Sequence, residues 1–124
     1  MTITTERQDV GVATTTRAEF ADRLPAAAAR RILRMNPTDR PAALEAMPDG
    51  ERLAAFLEMR PEGQASVLEH MNRGRACRLA NRLPFNTLAR VLGHMDPECR
   101  DDIVRNLRPL KRSRVETVLS GRLQ

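Results

Sequence analysis

The chain has 124 residues, 21 basic against 16 acidic side chains for a formal net charge of +5, no Trp, no Tyr and only three Phe. That length builds one modest core. The shortage of aromatics sets a β-sandwich aside in favour of closely packed helices of Ala, Leu, Val and Met. No apolar run reaches the roughly 18–20 residues that cross a bilayer, and no apolar signal segment opens the chain, so a cytoplasmic protein is expected.

Residues 1–19, beginning "MTITTERQDVGVATTT", are rich in Thr and show no helical stripe. They predict a disordered tail, with a domain over 20–124 whose first helix starts near Glu19 and Phe20. From Leu24 onward the chain divides every twelve residues into LPAAAARRILRM, NPTDRPAALEAM, PDGERLAAFLEM, RPEGQASVLEHM, NRGRACRLANRL, PFNTLARVLGHM, DPECRDDIVRNL and RPLKRSRVETVL. The twelfth position is Met or Leu in every unit: Met35, Met47, Met59, Met71, Leu83, Met95, Leu107 and Leu119. The eighth is apolar except at Arg31, and the ninth except at Glu116.

Prolines obey the same frame. Pro25, Pro37, Pro61, Pro97 and Pro109 stand second, and Pro48 and Pro84 first. Proline suits the start of a helix, where its missing N–H costs nothing. Pro41 is out of register and predicts a helix delayed by about a turn. Asn36 and Asp96, each before a proline, are expected N-caps.

Positions eight, nine and twelve lie on one helix face. Each unit is therefore a helix of roughly two turns, too short to persist alone in water. Such helices survive by stacking, which predicts an all-α, right-handed superhelical solenoid of about eight short helices with a 12-residue repeat. Glu116 and Arg31 break the stripe in the last and first units, as caps of the stack would. The Met column and the thiols of Cys77 and Cys99 are expected in the core.

The run "RILRMNPTDRPAALEAMPDGERLAAFLEMRPEGQASVLEHM", built as "L-x-x-[ML]-P/N-P-x-x-R-x-x-x-L", resembles the N-terminal superhelical domain of MgtE-type magnesium transporters over roughly 20–120. The helical domain of the flagellar motor-switch protein FliG is a weaker match. The MgtE resemblance implies a cytosolic sensor that packs on CBS modules and, through Mg²⁺ held by carboxylates at that contact, keeps a transport pore shut. The 124 residues contain no CBS region and no membrane helix. The chain is therefore expected to be either a detached piece or a stand-alone relative whose partner, a CBS-containing or transporter protein, acts in trans, and pairing with a second copy through an end of the stack is the homodimer alternative.

Mg²⁺ takes hard oxygen ligands, commonly one or two carboxylates with retained waters. The densest acidic group, Asp96, Glu98, Asp101 and Asp102, is the candidate metal set; Asp39 and the Asp49/Glu51 pair occupy similar helix starts. Their structural role would be to complement helix N-termini. His70 and His94 lie a full hairpin layer apart, too far to share one zinc. Glycine-rich phosphate loops, nucleophile elbows and H-E-x-x-H helices are all missing, so an enzyme is not expected. Of the 21 basic residues 20 are Arg, and the C-terminal units concentrate Arg105, Arg108, Lys111, Arg112, Arg114 and Arg122. Without stacking aromatics nucleic acid is not the expected partner. The alternative function is a metal-independent scaffold that docks an acidic protein through these Arg-rich units.

Overall fold

Residues 24–123 are described by a computed structural model. The expected tail over 1–19 and the expected helix start near Glu19 and Phe20 lie outside the described residues. Eight helices fill the described part: α1 (Pro25–Leu33), α2 (Arg40–Glu45), α3 (Asp49–Leu57), α4 (Pro61–His70), α5 (Arg73–Arg82), α6 (Phe85–Leu92), α7 (Pro97–Arg105) and α8 (Pro109–Leu123). No strand occurs among the described residues.

Seven of the eight begin at the second position of their unit, directly on or after the in-frame proline where one is present. The eighth, α2, begins three residues late, with Pro41 in its first turn. The out-of-register proline therefore delays its helix as expected. The same delay displaces the cap: Asp39, not Asn36, flanks α2, and Asn36 instead closes a turn by accepting from the Asp39 N–H at 2.9 Å. Asp96 does flank α7, but its carboxylate makes no capping bond. Asn72 is a true side-chain cap, its Oδ1 accepting from the Arg75 N–H at 3.2 Å.

Helices two apart in sequence stack: α1 on α3, α2 on α4, α4 on α6, α5 on α7, and α6 on α8. One continuous core results. Most of its deepest members are position-eight and position-nine side chains: Ile32, Leu44, Ala55, Phe56, Val67, Leu68, Ala80, Val91, Leu92, Ile103 and Val115, joined by the fifth-position Ala76 and Leu88. The twelfth-position column joins them at Met59, Met71, Leu83, Met95 and Leu107, with Met47 and Leu119 partly buried against the core. Met35 departs from the pattern at 37% exposure. Cys77 and Cys99 are buried, free thiols. Gly63 lies close against α1, where a Cβ would come 2.9 Å from Leu33 Cδ2 and shift that half-buried side chain.

Candidate interaction surfaces

The period also places polar side chains, and these position the surfaces. The last carbonyls of a helix lack intrahelical donors. At four junctions the fifth residue of the next unit supplies them. Arg40 donates from Nη2 to Leu33 O at 2.9 Å and from Nε to Met35 O at 3.1 Å. Arg52 donates from Nη2 to Glu45 O at 3.2 Å and to Met47 O at 3.0 Å. Gln64, buried, donates to Phe56 O at 2.8 Å, and Arg112 donates to Arg105 O at 3.4 Å. A guanidinium at this spot also complements the negative end of the helix dipole. In Arg40 and Arg112 the Arg of the "P-x-x-R" motif is thus a C-terminal cap, a role invisible until the chain folds back, whereas Arg100 pairs with Asp101.

A second device links layers. Glu69 Oε2, at the tenth position of its unit, accepts from the Asp96 N–H at 2.7 Å. Twelve residues further on, Asn81 Oδ1 accepts from the Arg108 N–H at 3.0 Å. Both bonds span 27 residues and satisfy a donor at the start of a helix in another layer. At the equivalent spacing Leu57 pairs with Pro84, which has no N–H to satisfy.

The candidate metal set gathers around the start of α7 but does not converge. Asp96 and Glu98 are exposed and form no side-chain ion pair with a described residue. Asp101 pairs with its neighbour Arg100 at 3.3 Å. Asp102 turns toward α5, where Arg73 donates to its Oδ2 at 2.6 Å, and it also receives Arg105 on Oδ1. Among the described residues no three His, Cys, Asp or Glu side chains come together in a way that could hold a metal ion. His70 Nδ1 lies 2.9 Å from Ser66 O, and His94 is exposed.

Behind this ridge lie the two cysteines, on α5 and α7. Burial pushes both thiol pKa values up from the ordinary 9.0, and the Arg73 charge offsets part of that rise. Buried protonated thiols are inert packing groups, not nucleophiles.

On the other side of α5 the stack loosens. α3 and α5 are not among the close-packed pairs, and a cleft of about 490 Å³ opens there. Arg52, Arg75, Arg78 and Arg82 face Glu45 and Asp49 across a floor that includes Met71 and Leu79. Ion pairs bridge it: Arg75 to Glu45 at 3.2 Å, Arg52 to Asp49 at 2.8 Å and Arg82 to Asp49 at 3.5 Å. The sequence did not single out this cleft, because its members are brought together from three helices and a connection far apart in the chain.

The third surface is at the start of α8. Leu110 is 83% exposed, the extreme among large apolar side chains of the described residues. It lines a pocket of about 480 Å³ with Phe85, Arg108, Pro109, Lys111 and Arg114. Arg114 stacks its guanidinium 4.2 Å from the Phe85 ring centre, a cation–π contact. Lys111 Nζ donates to Asn81 O at 2.7 Å and Leu83 O at 2.8 Å, capping α5. Its pKa is lowered, first by burial and then by the neighbouring Arg108 charge.

Among the described residues no helix is long and apolar enough to cross a membrane. Comparison with curated proteins finds no match, and neither does comparison with solved structures. A family model does match, and it spans residues 15–120, which covers the whole stack from α1 to α7 and most of α8. An all-helical array of twelve-residue units with in-frame prolines and that match together make the chain a member of the MgtE intracellular N domain family.

Proposed function

We propose that this chain is a cytoplasmic, non-catalytic regulatory module that offers its helix-start surfaces to a protein partner, with Mg²⁺ bridging the contact. The observation that carries the reading is a set of unused carboxylates. Asp39, Glu51, Glu62, Asp96 and Glu98 stand exposed at helix starts and form no ion pair among the described residues, in a chain with 20 arginines. Membership of the MgtE intracellular N domain family supports the regulatory role. Since the described residues bring no three metal-capable groups together, the ion in this reading is shared, with part of its oxygen shell supplied by a CBS-containing or transporter partner.

The test is binding to a CBS-pair module of an MgtE-type transporter at fixed ionic strength, with Mg²⁺, Ca²⁺ or Na⁺ varied up to about 20 mM, above the range of weak carboxylate cation sites. Binding should rise selectively with Mg²⁺. Asp96→Asn with Glu98→Gln should remove that dependence while leaving the melting temperature almost unchanged. Replacing Asp101 and Asp102 probes the site and the fold together, because Asp102 is held by Arg73 and Arg105. Binding indifferent to Mg²⁺ would eliminate the metal bridge.

A second reading is a metal-independent scaffold that docks an acidic partner through the Arg-rich C-terminal units. The pocket beside Leu110 favours it, since cations line that pocket and no carboxylate does.

A further inference from the structure

The pocket at the start of α8 combines three features that no other surface of the described residues shares. It holds a large, almost fully exposed apolar side chain, Leu110. It carries three cationic residues, Arg108, Lys111 and Arg114, with no acidic side chain in its lining, whereas the cleft beside α5 sets Glu45 and Asp49 among its four arginines. Its aromatic wall, Phe85, is oriented by a cation–π contact and belongs to a different helix, α6, so the pocket is a junction between stacked layers.

Each cation there has a defined state. Lys111 is spent on the carbonyls of Asn81 and Leu83 and contributes its alkyl stem as a wall. Arg108 is anchored through its backbone N–H to Asn81, which leaves its side chain exposed at the rim. Arg114 lies over Phe85, also exposed. A rim of guanidiniums around an apolar floor is complementary to a side chain that is apolar at its centre and acidic at its flanks.

We propose that this pocket docks an acidic amphipathic segment of a partner protein, with one apolar side chain seated on Leu110, Pro109 and Phe85 and flanking carboxylates paired with Arg108 and Arg114. The inference rests on the acidic-partner reading and adds to it a site and an anchor. A protein segment fits better than a lipid surface, because a single exposed Leu in a concavity is not the broad apolar face that inserts into a bilayer. It fits better than nucleic acid, because the one aromatic ring is already covered by Arg114 and offers no open face for a base.

The test uses the full chain and a fluorescent helical peptide of about 16 residues, with Leu at i, i+3, i+4 and i+7 and Glu elsewhere. Polyglutamate of equal charge, phosphatidylserine vesicles and a DNA duplex serve as comparisons. The Leu–Glu peptide should bind more tightly than polyglutamate. Leu110→Ser should weaken it about tenfold, the loss expected for a central anchor. Arg108→Glu with Arg114→Glu should weaken it further. Leu110 is so exposed that its replacement leaves the fold intact, which a melt of the variant checks.

Equal binding of both peptides, insensitive to Leu110→Ser, would overturn the pocket while leaving charge-driven docking standing. No binding of either peptide would overturn both. Preferential binding to vesicles or duplex that is lost with Arg108→Glu and Arg114→Glu would overturn the protein segment as occupant.

Discussion

Arg73 on α5 reaches across to Asp102 on α7, its Nη1 donating to Oδ2 at 2.6 Å, and this single pair ties two layers of the stack beside both buried thiols. Asp102 also accepts from Arg105 one turn further along its own helix. Both partners of the interlayer pair are about two-fifths exposed, so water and salt screen much of their attraction.

Replacing Asp102 by Asn should therefore cost only about 0.5–1 kcal/mol, as for exposed pairs generally. Urea unfolding at low and at about 1 M NaCl checks this. The difference between wild type and variant should shrink in high salt; an undiminished difference would mean that Asp102 acts through hydrogen-bond geometry and not charge.

The arginine caps should matter more. Arg40→Ala removes charged hydrogen bonds to Leu33 O at the end of α1, to Met35 O just beyond it and to Ser66 Oγ, and should cost about 1–2 kcal/mol. Arg40→Lys should recover only part of that, because an ammonium can replace the carbonyl bonds, as Lys111 shows at the end of α5, but not the guanidinium's additional reach to Ser66 Oγ. Denaturant midpoints of the three proteins decide the matter, and full rescue by Lys would reduce the cap to a charge effect.

Two methionines at the same repeat position should behave differently. Met95 is 5% exposed, and Met95→Ala should cost about 2–5 kcal/mol through a lost side chain and the cavity left behind. Met35 is largely open, and Met35→Ala should fall within about 0.5 kcal/mol of wild type. Equal losses would show that the column is uniform after all.

Cys77 and Cys99 make the stability fall at alkaline pH. Their folded pKa values lie above 9.0, so the unfolded chain releases these protons first. The contribution is complete below pH 9 and is lost as pH rises through the folded values. Lys111 works in the opposite direction, since its lowered pKa makes the folded state bind fewer protons beneath 10.5. Comparing wild type with the Cys77→Ala, Cys99→Ala double variant isolates the thiols. As pH rises above about 9, the wild type should lose more of its unfolding midpoint than the variant.

Most of the fold was legible because one periodicity encodes both punctuation and packing. The prolines announce where helices start, and the eighth, ninth and twelfth columns announce which face is covered; even the delayed start of α2 follows from Pro41. Met35 was misread because repeat position describes the helix and not its neighbours, and the end of α1 leaves that side chain uncovered. The caps were misread at Asn36 for the converse reason: a local signal was overridden by a proline five residues on. Arg40, Arg52 and Gln64 were visible as a recurring polar position but not as caps, since their acceptors are backbone atoms with no sequence signature. The acidic group at α7 was legible as a cluster in sequence, while its division between free Asp96 and Glu98 and paired Asp102 depends on which layer lies next to it.

The 27-residue reach of the bonds from Glu69 to Asp96 and from Asn81 to Arg108 bears on how such an array can grow. Because 27 is two units plus three residues, excising one twelve-residue unit still leaves a helix start 27 residues beyond each acceptor, but it exchanges the two sides of every later hairpin. Excising two units, 24 residues, keeps those sides. Arrays of this design should therefore gain or lose length in pairs of units, with the single helix as the unit of sequence and the hairpin as the unit of inheritance.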